Sequence, residues 1–288
     1  MHERVREGPL SSLGSIAMAA RYRRPRDRRM LTLTVRGRER ISPHFVSVTL
    51  GGDDFRYLEQ SGYDQAGRLF FRGPGQGRVV FPTSEKWMRQ YALLPAARRP
   101  RVRWYSIRRF RPERSEFDIE VAVHEETPAG PAGPGSGWAL AAQPGDTVGF
   151  LDEGYAYVPT PDAAWQLLVG DESALPAVLA ILERSTDTLR AEVFLEVPAD
   201  DDIRDGITAP AATNIHWLPR NDPATKPGSL ALRAVQDAQL PSGPCYAWTA
   251  GESSLATGIR RHLVNERKVP RSDVAFRGYW RHGRASLG

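Results

Sequence analysis

Three short segments combine side chains that can hold an anionic, aromatic ligand. The first is Arg103-Trp104-Tyr105-Ser106-Ile107-Arg108. On a strand, Arg103, Tyr105 and Ile107 point one way and Trp104, Ser106 and Arg108 the other. A flat anion can use a guanidinium for phosphate, a ring for stacking and a hydroxyl for a hydrogen bond. An amphipathic strand with solvated arginines shows the same spacing. The second is Gly133-Pro134-Gly135-Ser136-Gly137-Trp138, which leads into a short helical pattern. Such a loop aims backbone N–H groups outward, and the helix start adds partial positive charge, which suits a pyrophosphate. The strand-like run before it ends at Ala122-Val123-His124; a satisfied, partly buried imidazole is the plain reading of that histidine. The third is Gly170-Asp171-Glu172-Ser173-Ala174-Leu175-Pro176, between an apolar run and a helical pattern. Here Ser173 is placed to cap the helix. It is not the G-x-G-x-x-G dinucleotide fingerprint. A second apolar run ends alike, in Ala250-Gly251-Glu252-Ser253-Ser254. Two strand–Gly–acid–helix turns in one sheet predict one crevice, although two ordinary capped helices also fit.

Other chemistries find little support. The six histidines lack metal-ligand spacing. No G-x-S-x-G nucleophile elbow and no Walker A loop occur. Asp200-Asp201-Asp202 reads as a solvated loop. A single cysteine, Cys245, excludes an internal disulfide and fits a reducing compartment. The longest apolar runs, 165–170 and 174–182, fall far short of the roughly 20 residues that span a bilayer. No secretory signal is expected, Met18 and Met30 are alternative starts, and a cytoplasmic location follows. The net charge of +5 hides an asymmetry: residues 31–115 carry +10 and residues 116–288 carry −10. A basic half concentrates anions near it.

The elements that must position these groups fall into two rhythms. From Leu31 to Phe150, period-two runs at 31–35, 45–50, 68–71, 102–108, 117–124 and 147–151 read as short strands. Residues 78–81 read as the partner of 68–71 in a hairpin about the turn 73–77. Six or seven strands with no helix between them predict an antiparallel barrel or sandwich. After residue 160, strands at 166–170, 192–197, 215–218 and 245–249 alternate with helices at 173–184, 229–239 and 252–267. That is the βαβ pattern of a mostly parallel sheet, whose ligands bind at the carboxyl ends of the strands. Before both, Arg21–Arg29 is a charge run that reads as a flexible arm.

Together with Gly278-Tyr279-Trp280-Arg281, these motifs resemble the siderophore-interacting proteins, FAD-dependent ferric-siderophore reductases of the ferredoxin-reductase-like superfamily. The resemblance covers about residues 30–285. It implies a six-stranded antiparallel FAD-binding barrel over 30–155 and a nicotinamide-binding α/β domain over 160–288, which follow the basic flexible arm over 1–29. It places the flavin and its phosphates on Arg103, Trp104, Tyr105 and Ser106. Ala122, Val123 and His124 would line the FAD, with Gly135, Ser136 and Trp138 at the pyrophosphate. Gly170, Asp171, Glu172, Ser173, Gly251 and Glu252 would receive NADH or NADPH, and Tyr279 and Trp280 would close over the flavin. This chain reads Leu151-Asp152-Glu153-Gly154 where relatives often carry a Gly-Pro turn.

The implied reaction passes electrons from NAD(P)H through FAD to a ferric siderophore, releasing Fe²⁺, with no catalytic acid, base or nucleophile. The expected partner is that small anionic chelate, with no nucleic acid and no membrane span. Arg68, Arg72 and Arg281 are its candidate contacts. Glu196, or the acids at 200–202, sit where an acid can hold the ribose hydroxyls of NADH and repel a 2′-phosphate. Three readings stay open beside this one: a flavin reductase with another acceptor, a degenerate member kept as an interaction module, and a basic nucleic-acid-binding protein.

Overall fold

The computed structural model describes residues 22–73, 75–124 and 133–283. Its first sheet is antiparallel: β1 (Met30–Ser42), β2 (Phe45–Gly51), β3 (Ala66–Phe71), β4 (Arg101–Ser106), β5 (Arg109–Arg111), β6 (Glu116–Ala122) and β7 (Thr147–Gly154), in the order β4-β3-β7-β1-β2-β6-β5. Alternation builds it. Leu31, Leu33 and Val35, then Val46, Val48 and Leu50, then Phe117, Ile119 and Val121, all point into one core. β4 and β5 are one bent stave that closes the barrel. Ile107 still donates its N–H to Gln65 O on one side (2.8 Å), whereas Arg108 already donates to Asp118 O on β6 (2.8 Å). Six staves result, with the two ends of the sheet brought together at this bend. Two helices accompany the barrel, α1 (Trp87–Leu93) and α2 (Pro134–Ala141).

The second sheet is parallel, in the order β10-β9-β8-β11-β12. Its strands are β8 (Trp165–Gly170), β9 (Arg190–Val197), β10 (Ala212–Pro219), β11 (Cys245–Glu252) and β12 (Val274–Trp280), joined by helices α3 (Leu175–Arg184), α4 (Ser229–Asp237) and α5 (Ser253–Asn265). Both faces of β8 are covered, which explains its unbroken apolar run. Leu168 packs under α3, while Leu167 and Val169 pack under α4 and α5. The strand order reverses between β8 and β11, so the crevice opens at their carboxyl ends.

The sheets share one interior. Phe45 of β2 is fully buried in the α3-side core, with the Arg204 guanidinium 4.6 Å above its ring. Buried Asp64, ahead of β3, accepts from Trp248 Nε1 (2.9 Å) on β11 and from Tyr157 N–H (2.9 Å). Arg108 grips Glu183 of α3 with two bonds of 2.5 and 2.6 Å.

Several expectations are corrected. No hairpin pairs 78–81 with β3, because β4 and β7 already occupy both edges of β3. A turn does form, with Gln76 N–H donating to Gly73 O (3.1 Å). The chain after it docks instead on residues 98 and 99, where Val80 N–H meets Arg98 O (3.0 Å) and Gln76 Nε2 meets Arg99 O (2.7 Å). Helix α1 was not anticipated; Trp87 anchors it edge-on against Phe70, 5.3 Å between ring centres. Nor was β12, a half-exposed edge strand whose alternation is broken at Arg277-Gly278. Of the expected arm, residues 1–21 lie outside the described residues. Residues 22–29 lie against the protein: Arg23 exchanges two backbone bonds with Tyr155 (2.9 and 3.0 Å), and Arg28 meets Glu153 at 2.7 Å. Among the described residues, no helix is long and apolar enough to cross a membrane.

Candidate active site

The barrel supplies one wall of a cleft of about 390 Å³. Strand β4 brings Arg103, Trp104, Tyr105 and Ser106 to it. Arg103 is half-buried and, among the described residues, has no carboxylate partner; burial pulls its pKa below the usual arginine range. Its Nη1 donates to Val102 O (2.7 Å). The Tyr105 hydroxyl lies against Gly135, where an added Cβ would come within 2.5 Å of it. Burial raises that phenol's pKa. Buried Ser106 lies beside the Tyr279 hydroxyl. The Trp104 ring carries the Arg277 guanidinium 3.6 Å from its centre, and its buried Nε1 has no partner among the described residues.

Helix α2 is stapled onto the end of β6. Ser136 Oγ accepts His124 N–H (3.2 Å) and donates to Ala122 O (3.4 Å). Pro134 at the first helical position has no N–H. Gly135 and Ser136 are then the first donors without an intrahelical carbonyl, and both line the cleft. Ala122 and exposed His124 also line it, but Val123 and Trp138 do not. Both side chains join the barrel core, Trp138 tilted against Phe71 at 5.0 Å. Their contribution is to seat the helix.

The α/β wall differs from expectation. Asp171 and Glu172 are fully buried. Ser173 does not cap α3; its N–H and Oγ–H both go to Asp171 Oδ1, at 2.9 and 2.6 Å. Glu172 accepts both Nη groups of Arg220, at 2.8 and 2.9 Å, and Arg220 reaches Glu196 at 2.8 Å. Burial opposes the Arg220 charge, but the two carboxylates outweigh it and raise its pKa. Glu196 has no oxygen left for a ribose: it also accepts the N–H groups of Gly228 (2.6 Å) and Ala231 (2.9 Å) at the start of α4. Asp202 is taken by Ser42 (2.6 Å) and by His44 Nδ1 (2.7 Å). The acid-on-ribose expectation is withdrawn for Glu196 and Asp202; Asp200 and Asp201 are exposed, and Asp200 accepts Asn221 Nδ2 (2.8 Å). Sequence reasoning overlooked Arg220 and His44. Arg220 directly follows the carboxyl end of β10, and that position is the signal for it in the sequence.

A second lobe of about 550 Å³ continues the cleft past the carboxyl ends of β8 and β9. It is lined by His44, Arg220, Thr225 and His282, and shares His124, Glu172 and Trp280 with the first lobe. The three candidate chelate contacts divide. Arg68 already pairs with Glu153 (2.9 Å) and lies between the rings of Trp87 and Trp104. Arg72 and Arg281 are exposed. Among the described residues, no group of three or more His, Cys, Asp or Glu side chains is placed to hold a metal ion.

Residues 34–156 match the siderophore-interacting FAD-binding domain, and residues 163–283 match the siderophore-interacting protein family. The chain belongs to the siderophore-interacting proteins. It is 32% identical over 248 residues to the ferric vibriobactin reductase ViuB of Vibrio cholerae, covering 85% of this chain and 86% of that one. It is 30% identical over 256 residues to the NADPH-dependent ferric-chelate reductase of Escherichia coli, covering 88% and 94%. A siderophore utilization protein from T. fusca superposes with a TM-score of 0.79 at 32% identity, over 93% of this chain and 98% of that one. The barrel is thus the family's FAD-binding domain. Its residues fit that group: a half-buried guanidinium with no carboxylate partner among the described residues and free N–H groups at a helix start line one cleft.

Proposed function

We propose that this protein is a ferric-siderophore reductase that uses NAD(P)H, FAD and a ferric siderophore in turn. When bound, FAD supplies the electron bookkeeping that the other partners lack, accepting a pair and releasing electrons singly. The chain itself binds and orients. Arg103 and the first turn of α2 supply positive charge for the dinucleotide's pyrophosphate. The hydroxyls of Tyr105 and Ser106 supply hydrogen bonds, and Trp104 and Tyr279 supply flat apolar surface. His44, His124 and His282 line the lobe proposed for the nicotinamide nucleotide. No side chain needs to act as acid, base or nucleophile. Siderophores hold iron through hard oxygen donors that suit Fe³⁺ better than Fe²⁺, so reduction loosens the chelate. Arg72 and Arg281 are the exposed cations proposed to meet the acceptor's negative charge, aided by the +10 of residues 31–115.

The observation that carries this reading is the Arg103 guanidinium, half-buried on the cleft wall with no carboxylate partner among the described residues. Purified protein is expected to take up FAD, to lose flavin absorbance under anaerobic NADH or NADPH, and to regain it on adding a ferric siderophore. Protein that neither contains nor takes up FAD would overturn the reading. Normal reduction by the nucleotide without reoxidation by any ferric chelate would leave a flavin reductase with another acceptor. With Glu196 and Asp202 both engaged, comparing kcat/KM for NADH and NADPH decides the donor.

A further inference from the structure

Two acids follow the glycines at the ends of β8 and β11, and both hold the end of β12. Asp171 Oδ2 accepts Glu252 N–H (2.6 Å) and Trp280 Nε1–H (3.1 Å), while Oδ1 takes both groups of Ser173. Ser253 Oγ donates to Trp280 O (2.8 Å), and Glu252 Oε1 accepts His282 N–H (3.2 Å). The glycines make room for this clamp. Gly251 sits at φ +132°, and a Cβ there would fall 2.6 Å from Asp171 Cγ. A Cβ on Gly278 would fall 2.6 Å from Ser253 Oγ. Three motifs far apart in sequence are one device.

What the clamp holds is a wall. Trp280 is half-buried and lines both lobes of the cleft. An indole ending a half-exposed edge strand has several rotamers open to it. Its single polar hydrogen, bonded to a fully buried carboxylate, selects one. Four donors converge on Asp171, which the ionised carboxylate, the form present above about pH 7, can accept and an amide cannot, because the amide would set its own N–H groups against its donors.

We propose that Asp171 is a positioning residue, which through the Trp280 indole fixes the partition between the flavin lobe and the donor lobe and so sets the approach of the dihydropyridine. This rests on the reductase reading given above. The test compares wild type, Asp171→Asn, Trp280→Phe and the double variant. FAD affinity is measured by titration and the anaerobic reduction of bound FAD by NADPH in a stopped flow. Trp280 emission is taken as the difference between each protein and its Trp280→Phe counterpart, with acrylamide as quencher.

Asp171→Asn is expected to lower the limiting reduction rate about tenfold, in the range of coupling between contacting residues. FAD affinity should stay within about threefold, and Trp280 emission should become more quenchable. In the Trp280→Phe background, Asp171→Asn should change the rate less than about twofold. An equal loss in both backgrounds would overturn the proposal, as would an unchanged rate in Asp171→Asn. If Asp171→Asn does not fold, Trp280→Phe decides, since it removes the bonded N–H and keeps an aromatic ring: a wild-type rate overturns the proposal, and a comparable loss supports it. If wild type takes up no FAD or is reduced by neither nucleotide, the reductase reading fails instead. The emission comparison still reports whether Asp171 holds the indole.

Discussion

Arg103 and Arg220 stand on opposite walls of one cleft, and both are removed from bulk water. Arg103, on the barrel, has no carboxylate partner among the described residues. Arg220, past the end of β10, is held by Glu172 and Glu196, with side-chain exposures of 7%, 1% and 0% across the three. A desolvated cation is costly unless something compensates it. On the α/β side the fold provides the compensation, so that charge is structural. On the barrel side it does not, and a ligand must. The same contrast separates the acids. Those at 171, 172, 196 and 252 occur where a nucleotide-binding sheet carries ligand groups, yet each is engaged by N–H or guanidinium groups of the chain.

The largest consequence concerns Arg220. Arg220→Met leaves two buried carboxylates without a counter-charge and is expected to reduce unfolding free energy by about 3–5 kcal/mol. Chemical denaturation of the apoprotein measures this. A loss below about 1 kcal/mol would mean that the triad is not the structural unit described, and the comparison would break on that wall.

Next in size is a pH effect at Asp171. Burial, followed by the neighbouring Glu172 charge, pushes its carboxyl from 3.8 up to about 7. The folded state therefore holds this proton more tightly than the unfolded chain. Below about pH 4 both states are protonated, and the group contributes no difference. Between about pH 4 and 7 the unfolded chain releases its proton first, so stability falls as pH rises, by on the order of 2–4 kcal/mol, and then levels off. Unfolding curves for wild type and Asp171→Asn across that window isolate the contribution. A parallel pair of curves would remove Asp171 as its source.

How much of this was legible follows from the range of the interactions. Alternation in 31–35, 45–50 and 117–121 and the apolar run of β8 are local patterns, and the strands stand where those patterns predict. The glycine-acid turns were legible as special positions for the same reason. Their role was not, because partners were missing from view: Asp171 and Trp280 are 109 residues apart, and Arg220 and Glu172 are 48 apart. A local pattern states that a residue is constrained, and only tertiary pairing states by what. The false hairpin at 73–81 shows the same limit, since the turn is present while the edges of β3 are already filled. The resemblance to the family placed the flavin on β4 and α2 but could not separate Trp138, which faces the core, from Gly135 and Ser136, which face the cleft.

The smallest effect sharpens the contrast by its sign. Arg103→Ala removes a desolvated charge that the apoprotein does not compensate, so apoprotein stability is expected to stay level or rise slightly, by under about 1 kcal/mol. FAD affinity should fall by about 10- to 100-fold, the worth of one charge-assisted hydrogen bond of about 1.5–3 kcal/mol. Lysine at that position keeps the charge but not the planar fork, so Arg103→Lys should recover only part of the loss. Flavin titration followed by fluorescence quenching, paired with thermal unfolding of the same apoprotein samples, reads both quantities. A variant that loses stability and binds FAD normally would place Arg103 with Arg220, as a structural charge, and the two walls of the cleft would no longer differ in kind.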